Sequence, residues 1–248
     1  MLGLVFDSIL KEVSIDFVIV GFQANRLKVL LLKWKGTEKW SLPGGRIYVG
    51  EPISVAAVRT LEERTGLKNV FLRQFNTFGN TQRYVYYSKE ETLEYVKQAI
   101  GEDILQLQNL PRTVSVGYYA LVDIEKVVAK PDFYTDECSW WDVADVPKLL
   151  FDHNEMIEVA LQTLRREIRH QPVGNLLPEK FTMNELQNLF QGILNTELDR
   201  RNFHKMMTGY DFLIKLEEKR VGGANRAPHL YRFDYKKYYE ALNGGVSF

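Results

Sequence analysis

The residues best placed to do chemistry lie between Gly45 and Leu67: Gly45, Glu51, Arg59, Thr60, Leu61, Glu63, Arg64, Gly66 and Leu67. Pro52 to Thr65 reads as a helix. Pro52 takes its first position, Ile53, Ala57 and Leu61 form an apolar stripe, and Gly66 ends it. Offsets of three and four residues are neighbours on a helix, so positions 60, 63 and 64 share one face. Three carboxylates there would hold Mg2+ or Mn2+, hard cations that want clustered oxygen ligands. This chain supplies one carboxylate, Glu63, beside the neutral hydroxyl of Thr60 and the permanent cation of Arg64. Two unit charges about 4 Å apart interact by roughly 4 kcal/mol at an effective dielectric of about 20, and a divalent ion raises the repulsion further. Glu62 is no rescue, pointing about a third of a turn away. The face reads as a binding surface without metal chemistry.

A chain of 248 residues has room for one large domain or two modest ones. With 32 basic and 32 acidic residues, no global charge draws it to nucleic acid or a membrane. A single cysteine, Cys138, excludes an intrachain disulfide and fits a reducing cytoplasm. Flanked by Glu137, with Trp140 close by and no histidine nearby in sequence, it reads as an inert buried thiol. No basic-then-apolar leader and no run approaching about 18 apolar residues is present, so a soluble cytoplasmic protein is expected. No cofactor is expected.

The elements that must position these residues begin with strands at Ile15 to Gly21 and Leu27 to Trp34, joined by a hairpin-like turn through Gln23-Ala24-Asn25-Arg26. Further strands are expected at Val70 to Phe78, Thr113 to Val122 and Ser139 to Val143. Glu90 to Gln108 reads as an inserted helix, and Val146 to Leu150 and Asn154 to His170 as one or two more. Pro and Gly interrupt the pattern at Gln171 to Pro178, which divides the chain into domains 1–170 (insertion about 84–111) and 171–248. The second domain carries eleven Lys/Arg against nine Asp/Glu.

That second domain has a sharper pattern. Thr182 and Glu185 form a capping box ahead of an apolar helix face of Leu186, Leu189 and Phe190. A break at Asn195-Thr196 precedes a second helix from Asp199. Tyr210 to Leu216 and His229 to Phe233 read as strands around a charged, Gly-rich loop from Glu217 to Pro228. Helix, helix, hairpin is a winged helix-turn-helix outline. Arg200, Arg201, Asn202, His204 and Lys205 crowd the start of its second helix, where such helices meet base edges, and Lys219, Arg220 and Arg226 mark the wing, placed for phosphate. Each cluster taken singly fits a solvated surface; in this order, they read as a DNA-binding face.

The first segment resembles the Nudix box, G-x5-E-x7-R-E-U-x-E-E-x-G-U, preceded by Leu42-Pro43-Gly44-Gly45, with Thr60 and Arg64 at two positions where that box has metal-binding glutamates. Together the two halves look like the Nudix-related transcriptional regulators of the NrtR and AraR type. Val114-Ser115-Val116, Phe151-Asp152-His153, Asn175-Leu-Leu-Pro178, Leu198 to Phe203 and Leu230-Tyr-Arg-Phe233 extend the likeness over nearly the whole chain. The resemblance implies an α+β chain: a Nudix-like α/β/α sandwich with a mixed sheet, followed by a winged helix-turn-helix domain. It also implies a homodimer that binds operator DNA and senses a sugar or an ADP-ribose-like effector without hydrolysing it.

The expected effector pocket draws on Lys33, Arg46, Arg59, Glu63, Arg64, Gln82, Arg83, Arg112, Tyr118, Asp152 and His153, with the arginines at 46, 59, 64 and 83 suited to an anionic diphosphate. Arg59 and Glu63 equally suit a structural i, i+4 ion pair, and His153 a satisfied histidine at a helix start. Trp140 and Trp141 read as core residues. The rival reading is a hydrolase of ADP-ribose or a related nucleoside diphosphate. It would need Glu62, Asp136 or Glu137 to complete a metal site.

Overall fold

The computed structural model describes residues 9–81, 83, 113–132, 134–220 and 227–246. By backbone contacts these fall into two units. One comprises the chain up to Val20, Lys28–Ala120 and Lys126–Ala160; the other, Gly21–Leu27, Leu121–Glu125 and Leu161–Phe248. The break expected at 170/171 therefore lies beyond the observed division, which falls inside a helix at Ala160/Leu161. That helix continues through the sequence without a breaker, and Pro172 comes only after it ends.

The first unit is built on a seven-stranded sheet: β1 (Ile9–Gln23), β2 (Arg26–Trp34), β3 (Trp40–Ser41), β4 (Gly44–Tyr48), β5 (Leu72–Phe78), β6 (Val114–Leu121) and β7 (Thr135–Asp142). The order is β3-β2-β1-β6-β5, with β4 on β1 and β7 on β2. Phe17 to Val20, Val29 to Leu32 and Ser115 to Leu121 are buried continuously, on both faces. Central strands covered on two sides read as unbroken apolar runs for this reason. Asp16 is a charged residue set between the buried Ile15 and Phe17 of β1. The β1–β2 hairpin turns through Ala24 and Asn25, both left-handed (φ 52° and 62°), the twist that a two-residue hairpin loop favours.

Helix α1 spans Ile53–Thr65 and ends on Gly66 at φ 71°, whose N–H bonds the Glu62 carbonyl. Pro52 is not its first residue but its extended N-cap, at ψ 142°. The buried stripe is Ala56, Ala57, Thr60, Leu61 and Thr65, while Ile53, expected inside, is exposed. Helix α2 covers His153–Arg166. No helix forms at 146–150. Leu149 bridges Trp40, the Leu150 N–H bonds the Trp40 carbonyl at 2.9 Å, and the Asn154 side chain takes both the Leu149 N–H and the Pro147 carbonyl. Strand β7 starts four residues earlier than expected, through the polar Thr135 to Cys138. The inserted helix expected at Glu90 to Gln108 lies outside the described residues.

In the second unit β8 (Phe181–Thr182), β10 (His229–Phe233) and β9 (Leu213–Lys219) form a three-stranded sheet beside α3 (Met183–Leu194), α4 (Arg200–Thr208) and α5 (Tyr235–Gly244). The capping box is complete: the Glu185 N–H donates to Thr182 Oγ1, and the Thr182 N–H to Glu185 Oε2 at 2.7 Å. Asn195 closes α3 in the left-handed conformation, and Asp199 caps α4. Gln187 and Gln191 hold Leu198 from both sides, fixing the turn between these helices. The core stacks Phe233 on Tyr238 (4.6 Å) and Phe190 beside Phe203 (5.6 Å). A Cβ on Gly174 would meet Phe233 at 2.6 Å, so only glycine fits there. Strand β9 is displaced by three residues from the expected 210–216 because Phe212 is turned into the core. Helix α5, capped by Asp234, was not expected.

Candidate functional site

The expected effector residues that are described are not gathered at one place. Nine are described, and they separate into groups with different physical roles; Gln82 and Arg112 lie outside the described residues. Arg59 is a strut. Its guanidinium holds both Glu51 oxygens at 2.8 Å, bonds the Arg46 carbonyl at 2.9 Å, reaches Glu63 at 3.3 Å and lies 4.2 Å from the Tyr48 ring centroid. These bonds hold the Glu51 carboxyl below the usual carboxylate range and raise Arg59. Glu63 is 46% exposed at the outer end of this network. Together they pin α1 to the β4 loop. Lys33 pairs with Glu38, and the Tyr118 hydroxyl donates to Gln74 with its ring buried.

Arg83, Asp152 and His153 form a second, interior group. Arg83 and Asp152 are each 4% exposed and meet at 2.9 Å, and Arg83 also donates to the Thr113 carbonyl at 2.9 Å. Asp16, which the sequence reading passed over, faces both Arg83 and His153 at 3.8 Å and accepts from the Ser115 hydroxyl. His153 Nδ1 accepts the Leu42 N–H at 2.9 Å, so the neutral ring carries its proton on Nε2, toward Asp16. Burial lowers the His153 pKa, against the pull of Asp16 and Asp152. With its ring buried and its Nδ1 bonded to Leu42, His153 has the surroundings of a core histidine.

Arg64 and Arg46 belong to a third group at the end of α1. The segment 128–130 caps that helix, with the Val128 and Lys130 N–H groups bonding the Thr65 and Arg64 carbonyls at 2.9 Å. Arg64 Nε donates to the Gly44 carbonyl at 3.2 Å, and its Nη2 lies 3.4 Å from Asp132 Oδ2. Asp132 is fixed in turn by Thr135 and the Tyr134 N–H through its other oxygen. The Tyr134 phenol, raised chiefly by burial, feels the charges of both Arg46 and Asp132, and its ring stacks 5.9 Å from Trp34. Burial pushes the Cys138 thiol up to about 11, leaving it a poor nucleophile. Asp132, Tyr134 and Trp34 were missed. Only the turn signal of Pro131-Asp132 marked the place.

A divalent ion does not fit the residues at positions 60, 63 and 64. Thr60 is fully buried beneath β4, with its Oγ1 unpaired, and a Cβ on Gly45 would meet it at 2.6 Å. Glu63 turns outward to Arg59, and Arg64 places a guanidinium on the oxygens that face it.

In the second unit Arg200, Arg201, Asn202, His204 and Lys205 are all exposed along α4, while Phe203 and Met207 anchor it. None of the four basic residues among them forms an ion pair with the described residues. Lys219 is exposed at the end of β9. Arg220 is held by Glu185, Nη2 lying 2.9 and 2.7 Å from its two oxygens, and Lys180 pairs with Glu218. Arg226 lies outside the described residues. No helix among the described residues is long and apolar enough to cross a membrane.

Two family models match the chain, one after the other. The NUDIX domain model matches residues 12–162, and that of the NrtR DNA-binding winged helix domain residues 173–233. The "ADPR responsive transcriptional repressor NtrR" of Acinetobacter baylyi is 25% identical over 235 residues, covering 91% of this chain and 83% of that protein. The crystal structure of Shewanella oneidensis NrtR aligns at TM-score 0.67 and 25% identity over 91% of this chain and 95% of that one. The same protein complexed with a 27mer DNA aligns at TM-score 0.68 and 24% identity, with the same coverage of both chains. With more than half its length matched by the first of these models, the chain belongs to the Nudix family and carries an NrtR-type winged helix domain behind the Nudix domain.

Proposed function

We propose that the protein is a cytoplasmic transcriptional repressor that binds operator DNA as a homodimer through 171–248 and senses a small metabolite in 1–170. The exposed basic face of α4, on a helix anchored by Phe203 and Met207, is the observation that carries this reading. Arg and Asn there can bond the edges of G and A, and two such helices about 34 Å apart would match successive major grooves. Salt-sensitive retardation of the DNA upstream of its gene tests it. ADP-ribose, named by the Acinetobacter relative, is the first effector to add. Binding should weaken as the ligand is titrated, because a ligand shifts the equilibrium only through differential affinity for the DNA-free state. Salt-insensitive or absent retardation would reject the regulator reading. A hydrolase finds no support in the donor set at 60, 63 and 64, so binding without turnover is the reading for the Nudix domain.

The Glu185–Arg220 pair supplies a finer check on the wing. In Glu185→Gln the cap survives, since glutamine serves equally at that position, while Arg220 is released. An exposed pair of this kind is worth about 0.2–1 kcal/mol, so operator affinity should rise by a factor of about 1.4 to 5. The slope against log salt should steepen by about 0.9, one more phosphate neutralised. Fluorescence anisotropy across a salt series measures both, and an unchanged slope would show that Arg220 does not reach the backbone.

A further inference from the structure

We propose that the Nudix unit binds its anionic effector without a divalent metal, with the Arg64 guanidinium holding the diphosphate directly. The inference rests on the effector reading above and concerns the chemistry of that same site. Four observations carry it.

The guanidinium is fixed in place. The helix bearing it is capped by the backbone of 128–130, its Nε is spent on the Gly44 carbonyl, and Asp132 faces its Nη2. Asp132 cannot swing away, because its other oxygen is held by Thr135 and the Tyr134 N–H. Arg64 and Asp132 are 16% and 17% exposed, so the charge is part-buried yet reachable. A fixed, poorly hydrated fork loses little on engaging an oxyanion, which is why arginine suits bidentate phosphate contacts.

The fork also has a free tine. Nη1 has no acceptor among the described residues, so its donors remain for a ligand. A second guanidinium, that of Arg46, lies near enough for its charge to be felt at Tyr134.

Among the described residues no cluster of ligands is placed to assemble an ion instead. Thr60 is sealed under Gly45, where the absence of a Cβ lets β4 lie flush on α1, and Glu63 is committed outward to Arg59. A cation arriving at Asp132 meets the Arg64 charge first. Repulsion from a fixed guanidinium at contact distance is several kcal/mol in a part-buried setting, enough to exclude a divalent ion at ordinary concentrations.

Calorimetric titration of the full chain with ADP-ribose, first in excess EDTA and then with Mg2+ in excess over protein, tests this. A separate titration with Mn2+ alone, followed by electron paramagnetic resonance, reads the metal without any ligand. Expected are affinities equal within about twofold in the two buffers, no saturable Mn2+ site, and a loss of roughly 10–100-fold in Arg64→Gln. The buffer comparison on the unaltered protein stands even where that variant folds poorly. Binding that needs Mg2+, a stoichiometric Mn2+ signal, or unaltered affinity in a folded Arg64→Gln protein overturns the metal-free site and leaves the effector reading intact. No ADP-ribose binding in either buffer overturns the effector reading itself, and this proposal with it.

Discussion

Asp152→Ala is expected to lose about 3–5 kcal/mol of stability, because it strands a guanidinium that has almost no access to water. Arg83 and Asp152 are each 4% exposed, and without Asp152 the nearest remaining carboxylate to Arg83 is Asp16, 3.8 Å away. The Thr113 carbonyl would still accept one N–H, but Arg83 Nε is already buried with no partner among the described residues. Removing both charges is a different experiment. The double variant Arg83→Met, Asp152→Leu fills the same space with apolar groups and should be markedly less damaged than either single change, since a buried ion pair gains little net stability over packed hydrocarbon. Urea denaturation of the three variants decides the matter. A single-variant loss below about 1 kcal/mol, or a double variant as damaged as the sum of the singles, would mean that the pair is solvated rather than sealed.

Arg201→Ala is expected to weaken operator binding by about 1–3 kcal/mol, roughly 5–150-fold, while leaving the fold intact. The side chain is exposed and touches none of the core that Phe203 and Met207 build beneath it. A base contact and a phosphate contact leave different traces. If Arg201 reads a base, the loss falls on the cognate site and not on a scrambled duplex. If it meets phosphate, both duplexes suffer and the salt slope drops by about 0.9. Anisotropy titrations with both duplexes over a salt series separate the two. Unaltered affinity for both would remove α4 from the interface and with it the DNA-binding reading of this unit.

What could be read in advance followed from local chemistry. The capping box at Thr182 and Glu185, the Gly66 stop and the apolar runs of β1 and β2 are each decided by neighbours in sequence, and each was legible. The Arg83–Asp152–Asp16–His153 group was not legible as a network, because its members come from three separate stretches and only the fold brings them together. Asp16 was hidden inside a run that reads as hydrocarbon. Arg64 was identified as a misplaced charge, but its partners, the Gly44 carbonyl and Asp132, depend on how β4 and the 128–132 segment meet the end of α1. At 146–150 the apolar residues suggested a turn of helix, whereas Asn154 takes the backbone groups that a helix would have used. The early start of β7 through Asp136 and Glu137 defeated strand propensity, because pairing with β2 outweighs it there.

A dissolved ion visits a protein in proportion to its free concentration; a side chain arrives with the polypeptide, one per copy, and never leaves. If Arg64, seated between Gly44 and Asp132, holds the ligand as proposed, the readiness of this domain to take it up is independent of the cell's magnesium supply. The same swap makes the grip lighter, a single charge where an ion would bring two, which favours quick release and lets occupancy follow the rise and fall of a signal.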